Sequence, residues 1–176
     1  MSTLTTNHNF LSPVDFKLVI DRLPNVEFFV KGATIPGITS GTTAMPTPFK
    51  NYDNPGDKLV YDDFTVSIIC DEDMKAFKEV SDWLVALTSP EDFAQYASLK
   101  PKTFGRGGEP VNNLGDGVKS DGSLIVLNSN KNANVTIKFS DMFPISIGSI
   151  SLDNASDLTP PVFDITFKYG KYDIVV

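Results

Sequence analysis

The chain is 176 residues long and 41% hydrophobic, with a formal charge of −7 and a pI near 4.6. That is enough apolar material for one domain with a substantial core, and the acidic balance argues against gripping nucleic acid by its phosphates, which takes clustered Lys and Arg. The single cysteine, Cys70, excludes an internal disulfide, and the single histidine, His8, removes Ser-His-Asp machinery and the commonest zinc sites.

Met1 to Pro13 is polar and reads as a flexible N-terminus, with neither the basic start nor the apolar stretch of a cleavable signal. No run approaches the roughly 18 apolar residues of a membrane helix, so the expectation is a soluble protein. Phe16, Leu18 and Ile20 alternate with Lys17 and Val19, which predicts a first strand. After a turn at Arg22 to Asn25, Val26 to Lys31 reads as a second strand with Phe28 and Val30 on one face, and Pro36-Gly37 closes this part of the chain.

Thr39 to Asp62 carries three prolines and few core candidates. A structureless loop of that length is uncommon in a compact domain. Asn54-Pro55-Gly56-Asp57 is a strong turn signal, and extended residues flank it at Thr47 to Tyr52 and Lys58 to Tyr61. The segment is therefore read as a projecting hairpin over about 39–62.

From Tyr61 to Leu87 the period changes once. Phe64, Val66, Ile68 and Cys70 alternate as one face of a strand. Asp71, Glu72 and Asp73 then place acids where a helix N-terminus needs them. Met74, Phe77, Val80, Leu84 and Leu87 follow at helical spacing, with Trp83 flanking the stripe and Lys75, Lys78 and Glu79 opposite it. The helix spans about 72–88, and Pro90 stops it.

Ser89 to Leu99 predicts a short helical turn, and Lys100 to Gly122, dense in Gly, Pro, Asn and Asp, an irregular excursion. Ser123 to Asn128 and Asn134 to Ser140 form a hairpin around Ser129 to Asn132. In the next stretch, Ile145 and Ile147 share one parity and Ile150 and Leu152 the other, which places a bulge at Gly148. Val162 to Tyr169 is the cleanest strand, with Phe163, Ile165, Phe167 and Tyr169 inward, and the alternation runs on through Tyr172 and Ile174. Many short strands and one clear helix give a mainly β fold in a single domain over 1–176: a small antiparallel β-barrel or sandwich with one packed helix.

The sequence offers little chemistry. Gly105 to Gly108 lacks the Gly-Lys-Ser/Thr ending of a phosphate loop. Asp71 to Asp73 is accounted for by helix capping, and Asp62-Asp63 flanks a strand start where neighbouring side chains point to opposite faces. A carbohydrate-binding sandwich would need clustered exposed aromatics, whereas Trp83 lies on a helix flank and the tyrosines are scattered. The residues on their own describe a β domain without an enzyme's constellation, and with no cofactor or metal implied.

Four stretches in order resemble the tail tube proteins of contractile-tailed phages of the T-even type. They are Phe28 to Gly37 (F-F-V-K-G-A-T-I-P-G), Gly56-Asp57 followed by Tyr61-Asp62-Asp63-Phe64-Thr65-Val66, Asp71-Glu72 opening a helix that reaches Asp82-Trp83, and Phe143-Pro144 through Gly148 to Ile150-Ser151-Leu152-Asp153. They run from about Phe16 to Asp173, and Lys100 to Gly122 departs from the compact family pattern.

The resemblance implies a structural, non-enzymatic subunit of a virion tail, assembled in the host cytoplasm. It implies copies forming hexameric rings that stack into a tube, through whose bore DNA leaves without specific binding. It further implies contacts with tail sheath, baseplate and neck proteins, and none with a membrane. A tube-initiating or terminating baseplate or neck ring, or a type VI secretion-like tube subunit, is the alternative. On this reading the inter-ring hairpin candidates are Phe49, Lys50, Asn51, Tyr52, Asp53, Asn54, Asp57 and Lys58. The bore-lining candidates are Thr65, Ser67, Thr136, Lys138, Thr166 and Lys168, and the sheath-facing helix candidates are Lys75, Lys78 and Glu79. Six copies at −7 each would carry about −42 per ring, a field that repels phosphate.

Overall fold

A computed structural model describes residues 10–11, 14–88, 90–97, 99, 118–153 and 159–175. His8, most of the N-terminal segment and residues 100–117 of the expected excursion, with Gly105 to Gly108, lie outside the described residues. Among the described residues, nine strands and two α-helices follow in the order β1 (Phe16–Ile20), β2 (Val30–Thr34), β3 (Ile38–Pro46), β4 (Asn51–Tyr61), β5 (Phe64–Ile69), α1 (Lys75–Thr88), α2 (Phe93–Ala97), β6 (Ser120–Leu127), β7 (Ala133–Ile147), β8 (Val162–Lys168) and β9 (Lys171–Val175).

The main sheet is ordered β1-β6-β7-β8-β5-β2, with β9 also on β7, while β3 and β4 pair only with each other. Every pairing is antiparallel. Strands β8 and β9 run alongside β7 as one interrupted partner, with Lys168 opposite Phe143 and Lys171 opposite Ser140. Both sides bend at the same level. Asp141 takes a φ of 60°, and the Gly170 N–H donates to Ser140 O at 2.9 Å. The joint bend folds the sheet over itself, so that Phe64 of β5 stacks on Phe139 of β7 with centroids 4.5 Å apart.

Period-two alternation fills this core. Phe64, Val66 and Ile68, Ile137 and Phe139, and Phe163, Ile165 and Phe167 are all buried. Each such side chain contributes about 1.5–3 kcal/mol relative to leaving it in water.

Helix α1 closes the core along a stripe of Ala76, Val80, Trp83 and Ala86. This corrects the expected stripe in two ways. The Asp71 carboxylate accepts from the N–H groups of Lys75 and Ala76 at 2.9 and 3.3 Å, so the helix starts at Lys75 and leaves Met74 outside it, exposed, at φ 53°. The small Ala76 and Ala86 let the helix approach the sheet and bury Trp83 between them. The Trp83 ring lies 6.4 Å from Phe167, and its Nε1–H donates to Val118 O at 3.1 Å.

Other differences have local causes. Val26 to Phe28 form a 3-10 turn that buries Val26 and leaves Phe28 outside, and the second strand begins only at Val30. Strand β6 starts at Ser120, inside the expected excursion. Gly148 ends β7 rather than bulging within it. Its N–H donates to Asp164 O at 2.7 Å, and a Cβ there would meet that backbone at 3.1 Å. Cys70 is half-buried just beyond β5, and its thiol pKa is raised, first by burial and then by Asp71.

Candidate assembly surfaces

The β3–β4 hairpin is an arm. All nine residues of β3 are exposed, as are all of β4 except Gly56 and Tyr61. Its turn is not at Asn54 to Asp57 as the sequence suggests. The chain reverses at Thr47 to Lys50, where the Thr47 N–H and Oγ1–H donate to Lys50 O and the Lys50 N–H donates back to Thr47 Oγ1. Asn54 and Pro55 lie within β4 opposite Thr43 and Thr42. Gly56, Asp57 and Lys58 then form a bulge facing Gly41, since Ser40 already pairs with Leu59. The Pro-Gly dipeptide supplies the bulge, and Gly56 is required there because a Cβ would lie 2.6 Å from Gly41 O.

The hairpin candidates therefore divide. Phe49, Lys50, Asn51, Tyr52, Asp53 and Asn54 cluster at the distal end, while Asp57 and Lys58 sit midway along the arm. Met45 pairs with Tyr52, and the Lys50 ammonium lies 4.4 Å over the Tyr52 ring. Phe49 is 98% exposed and Met45 58%, so the tip presents apolar surface around one cation.

Tyrosines hold the root. The Tyr169 hydroxyl donates to Asp62 O at 2.9 Å, and the Tyr172 hydroxyl to Pro36 O at 3.2 Å. The two carbonyls lie just after β4 and just before β3. Tyr61 packs edge-on against both rings, at 5.8 and 5.5 Å. Burial first, then Tyr172, Asp62, Tyr61 and Asp63, push the Tyr169 phenol from 10.0 up to about 12. The inward parity of Tyr169 and Tyr172 was legible in the sequence; the carbonyls they reach were not.

The sheet candidates fall into two groups. Thr65 pairs with Thr166, and Ser67 with Asp164, whose carboxylate accepts from the Ser67 hydroxyl. Lys168, on the same outward face, forms an ion pair with Asp63. Thr136 and Lys138 lie beyond the Asp141 bend, beside Ile125 and Ser123 on one side and Val175 and Asp173 on the other. Further ion pairs stud the outer surface, Lys17–Glu27 at 2.5 Å and Lys171–Asp173 at 2.9 Å.

On α1, Lys75 and Lys78 are exposed, with Lys75 paired to Asp73. Glu79 does not join them. It is half-buried, and one carboxylate oxygen accepts from Asn25 Nδ2. The 3-10 turn brings Asn25 over the helix, which no local pattern signals. Among the described residues no group of three His, Cys, Asp or Glu side chains could hold a metal ion, and no helix is long and apolar enough to cross a membrane.

The described residues thus show an exposed arm, a polar outer sheet face and a charged helix flank. No curated protein matches the chain by sequence. The PVC extracellular contractile injection system, in a sheath–tube complex in the extended state, contains a chain of the same fold, with TM-score 0.59 and 14% identity over 99% of both chains. A chain in the tube-terminating cap of the anti-feeding prophage aligns with TM-score 0.59 and 16% identity, over 99% of this chain and 95% of that one. A type six secretion system protein aligns with TM-score 0.50 and 12% identity, over 92% and 82%. A family model described as phage tail tube protein matches residues 5–175, and the chain belongs to that family.

Proposed function

We propose that this protein is the repeating subunit of a contractile phage tail tube, in which hexameric rings stack and DNA passes along the bore during ejection. The observation that carries the reading is the arm: a hairpin over 38–61 that pairs with no strand of the main sheet and exposes nearly every residue. Such a structure gains its contacts from another copy, and an exposed strand edge is a ready template for one. A head-to-tail contact of this kind repeats without closing along the stacking axis. The distal residues Phe49, Lys50, Asn51, Tyr52, Asp53 and Asn54 then meet the next ring, with Asp57 and Lys58 at the side of the arm.

The bore reading draws on the outer sheet face. Thr65, Ser67, Thr166 and Lys168 line one half and Thr136 and Lys138 the other, as hydroxyls and cations set beside acids. Pairing Lys168 with Asp63 removes a phosphate anchor, so DNA slides past with little retention. Lys75 and Lys78 face the sheath from the exposed side of α1, and Glu79, half-buried at Asn25, borders instead the cavity beside that helix. A second reading, a tube-terminating ring, draws on the likeness to the anti-feeding prophage cap.

Electron microscopy of the concentrated purified protein distinguishes these outcomes. Stacked tubes are expected from the wild type, and isolated rings from a variant carrying Phe49→Asp with Tyr52→Asp. A strictly monomeric wild type overturns the proposal, and so does a tip variant that still stacks. Wild-type rings that never stack favour the terminating ring.

A further inference from the structure

A cavity of about 210 Å³ opens beside α1, lined by Arg22, Leu23, Glu79, Asp82, Trp83, Ala86 and Leu99. Its electrostatics are incomplete. Glu79 Oε1 accepts from Asn25, but Glu79 Oε2 is buried and has no hydrogen-bond partner. A carboxylate oxygen shut off from water without a donor is costly, and native structures normally satisfy such atoms. Asp82 adds a second carboxylate one helical turn along the same face. The Arg22 guanidinium is stacked over Trp83, 5.2 Å from the ring centroid, so it forms a flat wall of the cavity.

We propose that this cavity receives one basic side chain, lysine or arginine, from a different protein that packs over α1. Glu79 is its main acceptor, and Asp82 holds the mouth of the cavity. The terminal torsion of a glutamate is soft, so the Glu79 carboxylate turns its free oxygen to an incoming donor while keeping Asn25. Charge complementarity selects the occupant. The site sets the carboxylates of Glu79 and Asp82 against the guanidinium of Arg22 on a chain of net charge −7, and an apolar or acidic side chain would leave Glu79 Oε2 unsatisfied. The flat face of Arg22, itself laid over Trp83, offers a packing surface for the apolar stem of the guest. The inference rests on the reading above that the outer side of α1 is covered by another tail component.

Trp83 is the only tryptophan in the chain, and it lines the cavity, so its fluorescence reports occupancy directly. The test titrates the full-length protein with N-acetyl-arginine amide, using the neutral isostere N-acetyl-citrulline amide as control. A saturable change with a midpoint of about 1–10 mM is expected for the arginine compound, and none for citrulline. Glu79→Gln, which keeps an oxygen for Asn25, should raise the midpoint about tenfold or more. The exposed Asp82→Asn should raise it about two- to threefold. Equal responses to arginine and citrulline overturn the proposal, as does no saturable response, or a midpoint unmoved in both variants. A Glu79-dependent change driven by protein concentration alone would make the occupant a second copy, and that also overturns it. None of these readouts needs a tube to form, so failure here is separate from failure of the tube reading.

Discussion

Removing the two phenolic hydroxyls at the root of the arm, by Tyr169→Phe with Tyr172→Phe, should loosen β3–β4 and leave the barrel intact. Both changes keep the rings, and with them the packing on Tyr61 and Phe139. The loss is therefore confined to two hydrogen bonds, at 2.9 Å to Asp62 O and 3.2 Å to Pro36 O. A neutral hydrogen bond contributes about 0.5–1.5 kcal/mol net. Neither ring is fully buried, so water replaces part of each lost donor, and the pair together is worth about 1–2 kcal/mol. The rings lie 6.0 Å apart, close enough to couple, so the single variants are measured beside the double. An isolated two-stranded hairpin is marginal in water, and 1–2 kcal/mol at its root changes the open fraction about five- to thirtyfold. Rapid-quench hydrogen exchange reads that factor as faster exchange of the amides of 38–61, with β5 and β8 unchanged. Unchanged exchange in the arm would show that the hydroxyls do not hold it. An equal loss of protection across β5 and β8 would show that they belong to the core. Either result refutes the latch.

The same phenol gives a pH prediction. The folded state raises the Tyr169 pKa from 10.0 to about 12, so it binds that proton more tightly than the unfolded chain does; the stabilisation is whole below pH 10.0 and is lost as pH climbs through about 12. An ultraviolet phenolate titration should show one of the five tyrosines ionising late, and that step should vanish in Tyr169→Phe. Gly56→Ala places a Cβ 2.6 Å from Gly41 O, an overlap that only backbone movement relieves, at about 1–3 kcal/mol. Tube formation should fail in that variant while the thermal midpoint of the barrel holds, and normal tubes would show that the bulge tolerates a side chain.

What the sequence displayed well was the period two of β5 and β8, whereas the same alternation at Val26 to Lys31 marks a 3-10 turn and a strand only from Val30. Phe64, Val66 and Ile68 alternate with Thr65 and Ser67 because one face of β5 is core and the other is not, and the same holds for β8. The helix was legible in extent but rotated in register. Phe77, Val80 and Leu87 of the expected stripe do pack on the core, but hydrophobic counting also weights Met74 and Leu84 and passes over the two alanines that flank the buried Trp83. Asn54-Pro55-Gly56-Asp57 carries turn chemistry and was read as one. Bulges and tight turns draw on the same residues, and the true reversal carries a single turn-former, Pro48 at its second position, with the Thr47 hydroxyl bonded to the backbone of Lys50. Glu79 looked exposed because helical spacing places it beside Lys75 and Lys78. Only the tertiary placement of Asn25, brought in by the 3-10 turn, draws it inward.

The division of stabilising contacts between body and arm bears on when the arm becomes ordered. The barrel buries Phe64, Phe139, Phe163 and Phe167 completely or nearly so, and a core of that kind holds its shape without help. The arm carries Ile38, Met45, Phe49, Tyr52, Leu59 and Val60, every one of them exposed, so it draws almost no hydrophobic stabilisation from its own chain. Its backbone pairing and the two tyrosine hydroxyls set a direction, and ordering its residues still costs about 1–2 kcal/mol of entropy apiece. Whatever surface covers the apolar residues of the tip supplies the balance. Among the described residues none covers them, and where a neighbouring copy does so, as in the stacking proposed above, ordering of the arm is coupled by mass action to association.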